Sequence, residues 1–252
     1  MSPGGVRTEI RDQVATITID RPEKRNAIGF ATTEELDSAL DEVAASDAAV
    51  LVLRGGGDRA FVSGGDLKEL AAVRTHDEAT AMALRVRGVL DKVAELPVPV
   101  IAALNGHALG GGAETAVACD IRIAADDIRI GFNQAALGIM PAWGGAERLA
   151  QVIGRGRAMV AIATAEVYDA ASAHALGLLD VVVPRAAFDK EVADLAARIA
   201  AQAPGTSRKV KAVLASAEPH THPHLAASAS NHFASLWTAD AHWDAVDRLQ
   251  KR

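Results

Sequence analysis

Two glycine-rich turns in the sequence could present backbone N–H groups to a bound molecule. Residues 60–67 read AFVSGGDL and residues 105–114 read NGHALGGGAE. Glycine lets a backbone N–H approach a ligand because no Cβ stands in the way, and a helix that begins at the turn adds further free N–H groups. Two such turns directed at one point would form an oxyanion hole, which stabilises negative charge on an oxygen atom.

A carboxylate follows each of these turns, at Asp66 and at Glu114. Glu114 could act as a general base, because burial raises the proton affinity of a carboxylate even though a helix N-terminus opposes that shift. The alternative is a first-turn residue that only interacts with the helix dipole. The neighbouring glycines 110–112 favour the functional interpretation over tight turns alone. Neither turn matches G-x-G-x-x-G, and no G-x-x-x-x-G-K-[ST] occurs, so the dinucleotide and P-loop motifs are excluded.

The composition of the chain limits the classes of protein to which it could belong. The chain has 252 residues, a net charge of −6 and 50% hydrophobic residues, which is typical of a globular protein with a sizeable core. This acidic balance argues against nucleic-acid binding. The single cysteine, Cys119, is expected to be a buried apolar residue, and no intrachain disulfide is possible.

We expect no metal site and no membrane span. His220, His222 and His224 flank Pro223 in a segment that fits an exposed loop better than a metal site. No stretch approaches the roughly 20 apolar residues of a membrane helix, and no signal-peptide pattern opens the chain. The sequence therefore predicts a cytoplasmic protein.

Strands are predicted to alternate with helices over the first two thirds of the chain, which indicates βαβ units with parallel pairing. The predicted strands cover residues 14–19, 50–53, 98–104, 121–124, 128–131 and 179–183. The predicted helices cover residues 67–73, 79–96 and 113–119, and one more follows an apparent capping box at Thr32–Glu35. The C-terminal part reads as helices with loops at 203–205 and 218–223. The fold class is α/β with a helical C-terminal region.

The two turns resemble the paired signatures of the crotonase superfamily, the enoyl-CoA hydratase/isomerase family. The resemblance starts at Asp20-Arg21-Pro22, continues through both turns, and includes Gly138-Ile139-Met140-Pro141 before it reaches the C-terminus. It implies a crotonase-like ββα spiral core over residues 1–195. It also implies a helical region over residues 196–252 that packs across subunits, in a homotrimer or a dimer of trimers.

Site residues follow from the same resemblance. It implies that the N–H groups of Gly65 and Gly111 form the oxyanion hole and that Glu114 is catalytic. It also implies binding of coenzyme A near residues 22–27 and Lys68. The substrate carries the coenzyme A, so no separate cofactor is expected. The candidate contacts with coenzyme A are Lys24, Arg25, Ala27 and Lys68. Lysine and arginine side chains at such positions are more often ordinary solvated surface charges.

Two positions depart from the usual hydratase pattern. Hydratases carry a second glutamate where this chain has Gln134, and glutamine can hydrogen-bond a water molecule but cannot donate a proton as an acid. Trp143 replaces a small residue, and it either shapes the acyl pocket or packs under the loop. A Pro-x-Trp-Gly-Gly segment after a Gly-Gly-Gly-Ala-Glu turn is similar to the short-chain acyl-CoA decarboxylases of the superfamily.

Three functions therefore remain open. The first is hydration of a 2-enoyl-CoA, with Glu114 as base and Gln134 positioning the water. The second is decarboxylation of an ethylmalonyl- or methylmalonyl-type thioester, or another reaction with a single carboxylate. The third is a catalytically idle acyl-CoA-binding protein.

Overall fold

The strands of the chain are divided between two sheets. The computed structural model describes residues 4–203, 205–217 and 223–251. The strands are β1 (Val6–Arg11), β2 (Val14–Ile19), β3 (Val50–Gly55), β4 (Ala60–Val62), β5 (Val100–Leu104), β6 (His107–Leu109), β7 (Ile121–Ala125), β8 (Arg129–Gly131), β9 (Val167–Asp169) and β10 (Val181–Val183).

The helices lie between and after these strands. They are α1 (Phe30–Ala45), α2 (Leu67–Leu70), α3 (His76–Glu95), α4 (Gly111–Val117), α5 (Gly145–Ile153), α6 (Arg155–Ala163), α7 (Ala170–Leu176), α8 (Phe188–Ala200), α9 (Thr206–Ala217), α10 (Pro223–Trp237) and α11 (Asp240–Gln250). Short 3₁₀ helices cover Pro22–Lys24, Asn133–Leu137 and Arg185–Ala187.

The larger sheet has the order β1-β2-β3-β5-β7-β10, and the smaller has the order β4-β6-β8-β9. All pairs are parallel except the outermost β1–β2 and β8–β9 pairs. Along the chain, β3, β5 and β7 of the larger sheet are each followed by a short strand of the smaller sheet and then by a helix. This repeated ββα unit confirms the predicted spiral core.

β5 is apolar along its whole length, and β3 is apolar over its first four residues, because both faces of these central strands are covered. Every residue of β5 is buried, and so is every residue of β3 except Arg54. β2 instead alternates between buried and half-buried positions, as expected of a strand with one covered face. The helix α3 ends at Glu95, shortly before Pro97.

Two buried asparagines fix the loops at the carboxyl ends of the strands. Asn105, after β5, accepts a hydrogen bond from the N–H of Gly55 and donates to the carbonyls of Gly55 and Gly57. Asn26 donates to the carbonyls of Gly56 and Ala60 at 3.0 and 2.7 Å. These bonds satisfy backbone groups that the strands leave unpaired, so the loops lie in fixed positions.

Four strands were not predicted, namely β1, β4, β6 and β9. Three of them have only three residues, which is too short for a period of two to be visible. β1 was missed because its outward positions are charged and its burial alternates only between half-buried and exposed.

The predicted capping box at Thr32–Glu35 is wrong. The helix α1 begins after Gly29, which has no side chain that could cap it, and the N–H of the first helical residue, Phe30, donates to the Glu69 side chain at 2.8 Å. Glu35 instead accepts hydrogen bonds from the N–H groups of Gly4 and Val6, which precede and begin β1. A capping box does open α3, where Thr75 and Glu78 bond each other's backbone N–H.

In the C-terminal region, α10 lies along α3 of the same chain. The predicted domain boundary at residues 195/196 falls inside α8. Packing across subunits stays a prediction. The predicted loop at residues 218–223 lies almost wholly outside the described residues, as do His220 and His222. Within the described ranges, no helix is both long and apolar enough to cross a membrane.

Candidate active site

The two glycine turns lie at the same edge of the smaller sheet. Residues 63–66 follow β4 and residues 110–112 follow β6, and these parallel strands are neighbours. A Cβ placed on Gly64 would lie 3.4 Å from the backbone nitrogen of Gly111. The structure therefore brings the two turns into contact, as the sequence predicted.

Backbone conformation directs the N–H groups of these turns. Gly64 has φ +107° and Gly110 has φ +55°, which are conformations that favour glycine. Among the described residues, neither the N–H of Gly65 nor that of Gly111 has a hydrogen-bond acceptor. Two adjacent N–H groups are thus available to bind one oxygen atom. Their assignment to an oxyanion hole stays a prediction.

Glu114 lies on the first turn of α4 and is only 2% exposed. One carboxylate oxygen, Oε2, accepts hydrogen bonds from the backbone N–H groups of Trp143 and Gly145 at 2.8 and 2.9 Å. The other, Oε1, accepts a hydrogen bond from the Gln134 side chain at 2.9 Å. The carboxylate is therefore held rigidly, and Oε1, with one contact, is the oxygen that retains capacity to accept a proton.

Burial raises the pKa of Glu114 to about 7. Hydrogen bonds from Gly145, Trp143 and Gln134 lower the pKa in part, and the negative charge of Glu147 raises it further. A carboxyl with this pKa exists in both protonation states near neutral pH. It can therefore accept a proton and return it, which is what acid–base catalysis requires.

Gln134, in the Asn133–Leu137 3₁₀ helix, is 6% exposed and faces Glu114. Its amide nitrogen must point at the carboxylate whenever Glu114 is ionised, because a carboxylate only accepts hydrogen bonds. Its amide oxygen is buried and has no partner among the described residues. A buried acceptor without a partner costs free energy, so this oxygen is suited to bind a water molecule or a substrate donor.

Under the hydration hypothesis, replacement of Gln134 by glutamate is expected to increase the hydration rate, with crotonyl-CoA as the test substrate, by about tenfold or more. The new carboxyl would lie within hydrogen-bonding distance of Glu114 and share one proton with it, which separates the two pKa values and gives one acid and one base. Steady-state kinetics across pH should show a bell-shaped profile. Ala135→Glu, which adds a charge at an exposed position of the same turn, is the control. An unchanged rate in Gln134→Glu would contradict the prediction.

The indole of Trp143 lies against both glycine turns. A Cβ on Gly111 would lie 2.0 Å from the ring, and a Cβ on Gly65 would lie 3.7 Å from it and 2.7 Å from Leu70. The side chain is only 6% exposed. Trp143 and Leu70 thus form an apolar wall beside the backbone of Gly65 and Gly111.

Two salt-bridged arginines support Trp143 and the start of α5. Arg148 donates to the carbonyl of Trp143 at 3.0 Å and pairs with Asp91 of α3. Arg87, also on α3, pairs with Glu147 at 2.8 Å. Glu147 is therefore committed to an ion pair and does not replace the missing second glutamate.

The predicted coenzyme A loop lies beside Gly65. Ile28 pairs with Gly65 in an isolated parallel bridge, and the carbonyl of Arg25 accepts a hydrogen bond from Ser63. The side chain of Lys24 pairs with Asp66 at 3.0 Å, next to Gly65. Burial alone would raise the pKa of Asp66, but the hydrogen bonds from Lys24 and Arg21 outweigh it and lower the pKa.

The other predicted contacts are placed differently. Ala27 is buried, and its carbonyl accepts a hydrogen bond from Arg21 at 2.6 Å. Arg25 and Lys68 are exposed. The loop and α2 therefore bring three cations close to the Gly65 turn, and Ala27 contributes backbone alone.

Two further sequence expectations concern cysteine and metals. Cys119 is buried, as predicted, and burial raises the pKa of its thiol to about 12. Across the described ranges, no group of three or more histidine, cysteine, aspartate or glutamate side chains could hold a metal ion.

Comparison with known proteins identifies the family. A sequence model described as "Enoyl-CoA hydratase/isomerase" matches residues 9–247. The chain belongs to the enoyl-CoA hydratase/isomerase family. Within the family it is 36% identical to a short-chain-enoyl-CoA hydratase of Clostridium acetobutylicum over 205 residues, which cover 81% of this chain and 78% of the relative. It is also 36% identical to a crotonyl-CoA hydratase of Syntrophomonas wolfei over 195 residues, or 76% of this chain and 74% of the relative.

A solved family structure has the same fold. The enoyl-CoA hydratase of Bacillus anthracis superposes with a TM-score of 0.82 at 31% identity, and the match covers 98% of this chain and 97% of the other. This similarity confirms the α/β crotonase fold. The roles of individual residues rest on the geometry above.

Sequence reasoning brought together Gly65, Gly111, Glu114, Gln134 and Trp143, and the structure places all five within one cluster. It missed the backbone contacts that hold the Glu114 carboxylate, and it missed the arginine pairs behind Trp143. The glycines after Trp143 were a usable signal, because Gly144, with φ +87°, and Gly145 let α5 begin against Glu114.

Proposed function

We propose that this protein is an enzyme of hydratase type that adds water to a 2-enoyl-CoA thioester. The observation that carries the proposal is the buried Glu114 carboxylate, which is bonded to Gln134 and lies in the same helical turn as Gly111, whose N–H has no acceptor among the described residues. The names of the relatives from Clostridium acetobutylicum and Syntrophomonas wolfei support the same reaction.

In the proposed reaction, the thioester oxygen accepts hydrogen bonds from the N–H groups of Gly65 and Gly111. The amide oxygen of Gln134 accepts one hydrogen of a water molecule, and Glu114 takes the other. The hydroxide adds to the β-carbon while the electron pair of the double bond moves to the thioester oxygen. The enolate then collapses and takes the proton from Glu114 at the α-carbon, so that one carboxyl serves as base and then as acid.

The neutral side chain of Gln134 favours one second candidate, decarboxylation of a malonyl-type thioester. Loss of carbon dioxide leaves an electron pair that the same N–H groups stabilise as an enolate, and protonated Glu114 then protonates the α-carbon. A second carboxylate is not required, and at position 134 it would repel the substrate carboxylate. The NH₂ group of the Gln134 amide can instead donate a hydrogen bond to the substrate carboxylate.

One experiment separates the candidates. The protein is incubated with crotonyl-CoA, 3-hydroxybutyryl-CoA, methylmalonyl-CoA and ethylmalonyl-CoA, and products are identified by mass spectrometry. Interconversion of the first two supports hydration, and carbon dioxide release from the last two supports decarboxylation. Binding of the thioesters without any product would support a catalytically idle acyl-CoA-binding protein and contradict both enzymatic candidates.

The pH dependence of the two reactions should be opposite, because burial raises the pKa of Glu114 to about 7. Hydration begins with ionised Glu114, so its kcat/KM should rise with pH and level off above about pH 7. Decarboxylation needs protonated Glu114, and the ionised form repels the substrate carboxylate, so its kcat/KM should fall above the same pH. Steady-state rates from pH 5 to 9 test this. A pH-independent rate would exclude Glu114 as the titrating group.

We also propose that Lys24, Arg25 and Lys68 contact the phosphates or adenine of coenzyme A, because they flank the Gly65 turn. Lys24 would have to share its charge between a phosphate and Asp66. Assembly into trimers or hexamers and a cytoplasmic location belong to the same proposal and rest on the family resemblance.

A further inference from the structure

The last two helices meet in an aromatic cluster that we define as Phe233, Trp237, His242 and Trp243. The centroid distances are 5.4 Å between Phe233 and Trp237, 4.6 Å between Trp237 and His242, and 4.8 Å between His242 and Trp243. Trp237 is 2% exposed and His242 is fully buried. The cluster therefore joins α10 to α11 as one packed unit.

One side of the aromatic cluster is bonded to the segment after α2. The indole N–H of Trp237 donates to the carbonyl of Val73 at 3.0 Å. The guanidinium of Arg74 lies over the ring of Trp243, 3.6 Å from its centroid. Val73 and Arg74 lead from α2, which follows the Gly65 turn, into α3.

The other side of the cluster is bonded to the turn that carries Gln134. The His242 Nδ1 atom is 2.6 Å from the carbonyl oxygen of Leu137, the last residue of the Asn133–Leu137 helix. A Cβ on Gly138 would lie 3.4 Å from both the backbone nitrogen and the Cα of His242. Gly138, with φ +71°, lets the chain turn against His242 at this point.

His242 is the donor in this bond. A carbonyl only accepts hydrogen bonds, so Nδ1 carries the proton and donates it. Nε2 is buried without a partner among the described residues. Burial lowers the pKa of His242, and the positive charge of Arg74 lowers it further. The hydrogen bond to Leu137 raises the pKa but does not outweigh these two effects. The ring is thus a fixed donor directed at one carbonyl.

We propose that His242 is a positioning residue for Gln134, and that α11 thereby fixes the Gln134 amide at the candidate active site. The path is short. The His242 ring holds the Leu137 carbonyl, and the backbone N–H groups of Gly138 and Ile139 bond the carbonyls of Ala135 and Gln134 within the same turn. The proposal rests on the proposed function only in the role that it gives Gln134.

Two variants separate the hydrogen bond of His242 from its packing. Asparagine carries an N–H at the position of Nδ1 and lacks the ring, whereas phenylalanine keeps the ring and lacks the donor. We expect His242→Phe to lower kcat by about tenfold with little change in KM, and His242→Asn to retain most of the activity. Equal activity of the two variants would overturn the proposal.

A double variant tests whether the effect passes through Gln134. In a Gln134→Ala background, His242→Phe is expected to cause no further loss of kcat, because the group that it positions is already absent. A merely structural role would lower kcat by the same factor in both backgrounds. That additive result would also overturn the proposal.

A measurement without substrate keeps the inference independent of the reaction. Hydrogen exchange of the full-length protein should show faster exchange of the Gly138 and Ile139 amides in His242→Phe and near-native exchange in His242→Asn. The amide of Ala118, at the end of α4, is the internal control. Unchanged exchange in His242→Phe would refute the positioning role. If no thioester is turned over but exchange changes as expected, then only the proposed function fails.

Discussion

Replacement of Glu114 by glutamine is expected to abolish most turnover and to make the protein more stable at alkaline pH. Glutamine cannot exchange a proton, so kcat should fall by about 10²–10⁴-fold. Its amide still fits the site. The oxygen accepts from Trp143 and Gly145, and the Gln134 amide rotates to accept from the new NH₂ group.

The gain in stability follows from the pKa of Glu114, which burial raises from 4.5 to about 7. The unfolded chain binds fewer protons than the folded chain between these two pH values, so the wild-type protein loses stability as pH rises through them. Above about pH 7 the cost of the buried charge is on the order of 3 kcal/mol. Glu114→Gln removes this cost.

Thermal unfolding at pH 5 and pH 8 measures the effect. The melting temperature of Glu114→Gln should exceed that of wild type at pH 8, and the difference should shrink at pH 5. Glu95→Gln, at the exposed end of α3, is the matched control and should change neither activity nor stability appreciably. An active Glu114→Gln enzyme would refute the assignment of Glu114 as the proton carrier.

Addition of one methyl group at Gly111 is expected to lower kcat by about 10²–10³-fold, which is the cost of losing one oxyanion donor. A Cβ on Gly111 would lie 2.0 Å from the Trp143 ring, so either the ring or the backbone of the turn must move. Displacement of the backbone would carry the Gly111 N–H away from the thioester oxygen.

A second substitution distinguishes these two outcomes. Trp143→Ala provides space for the new methyl group, so the double variant Gly111→Ala/Trp143→Ala should regain activity relative to Gly111→Ala alone. Gly88→Ala is the control, because a Cβ at that exposed position in α3 meets no atom within 4 Å. Full activity of Gly111→Ala in steady-state assays would contradict the prediction and would show that the Trp143 ring, rather than the backbone of the turn, moves to accommodate the methyl group.

The sequence predicted the reactive groups of the site better than the contacts that hold those groups in place. Glycine clusters followed by carboxylates are local signals, and residue types alone pointed to the two turns and to Glu114 as a possible base. The assignment of the N–H donors to Gly65 and Gly111 came from the family resemblance. The significance of Gln134 and Trp143 came from departures from a family pattern. The bond between His242 and Leu137 joins residues 105 positions apart, so no local pattern could predict it.

The fold was predictable where elements were long. β5 and the first four residues of β3 are continuous apolar runs, and their burial on both faces follows directly. Strands of three residues have too few positions to show an alternating pattern. Two of these strands, β4 and β6, nevertheless position both glycine turns. The capping box predicted at Thr32–Glu35 is absent for another reason. The Glu35 carboxylate instead accepts hydrogen bonds from backbone N–H groups at the start of β1.

The distribution of the three tryptophans gives the protein two separate optical reporters. Trp143 touches both glycine turns, whereas Trp237 and Trp243 belong to the aromatic cluster of the last two helices. Phenylalanine at positions 237 and 243 would leave one indole at the site, and its fluorescence would report thioester binding directly. Phenylalanine at position 143 would leave emission that reports the docking of α10 and α11 alone.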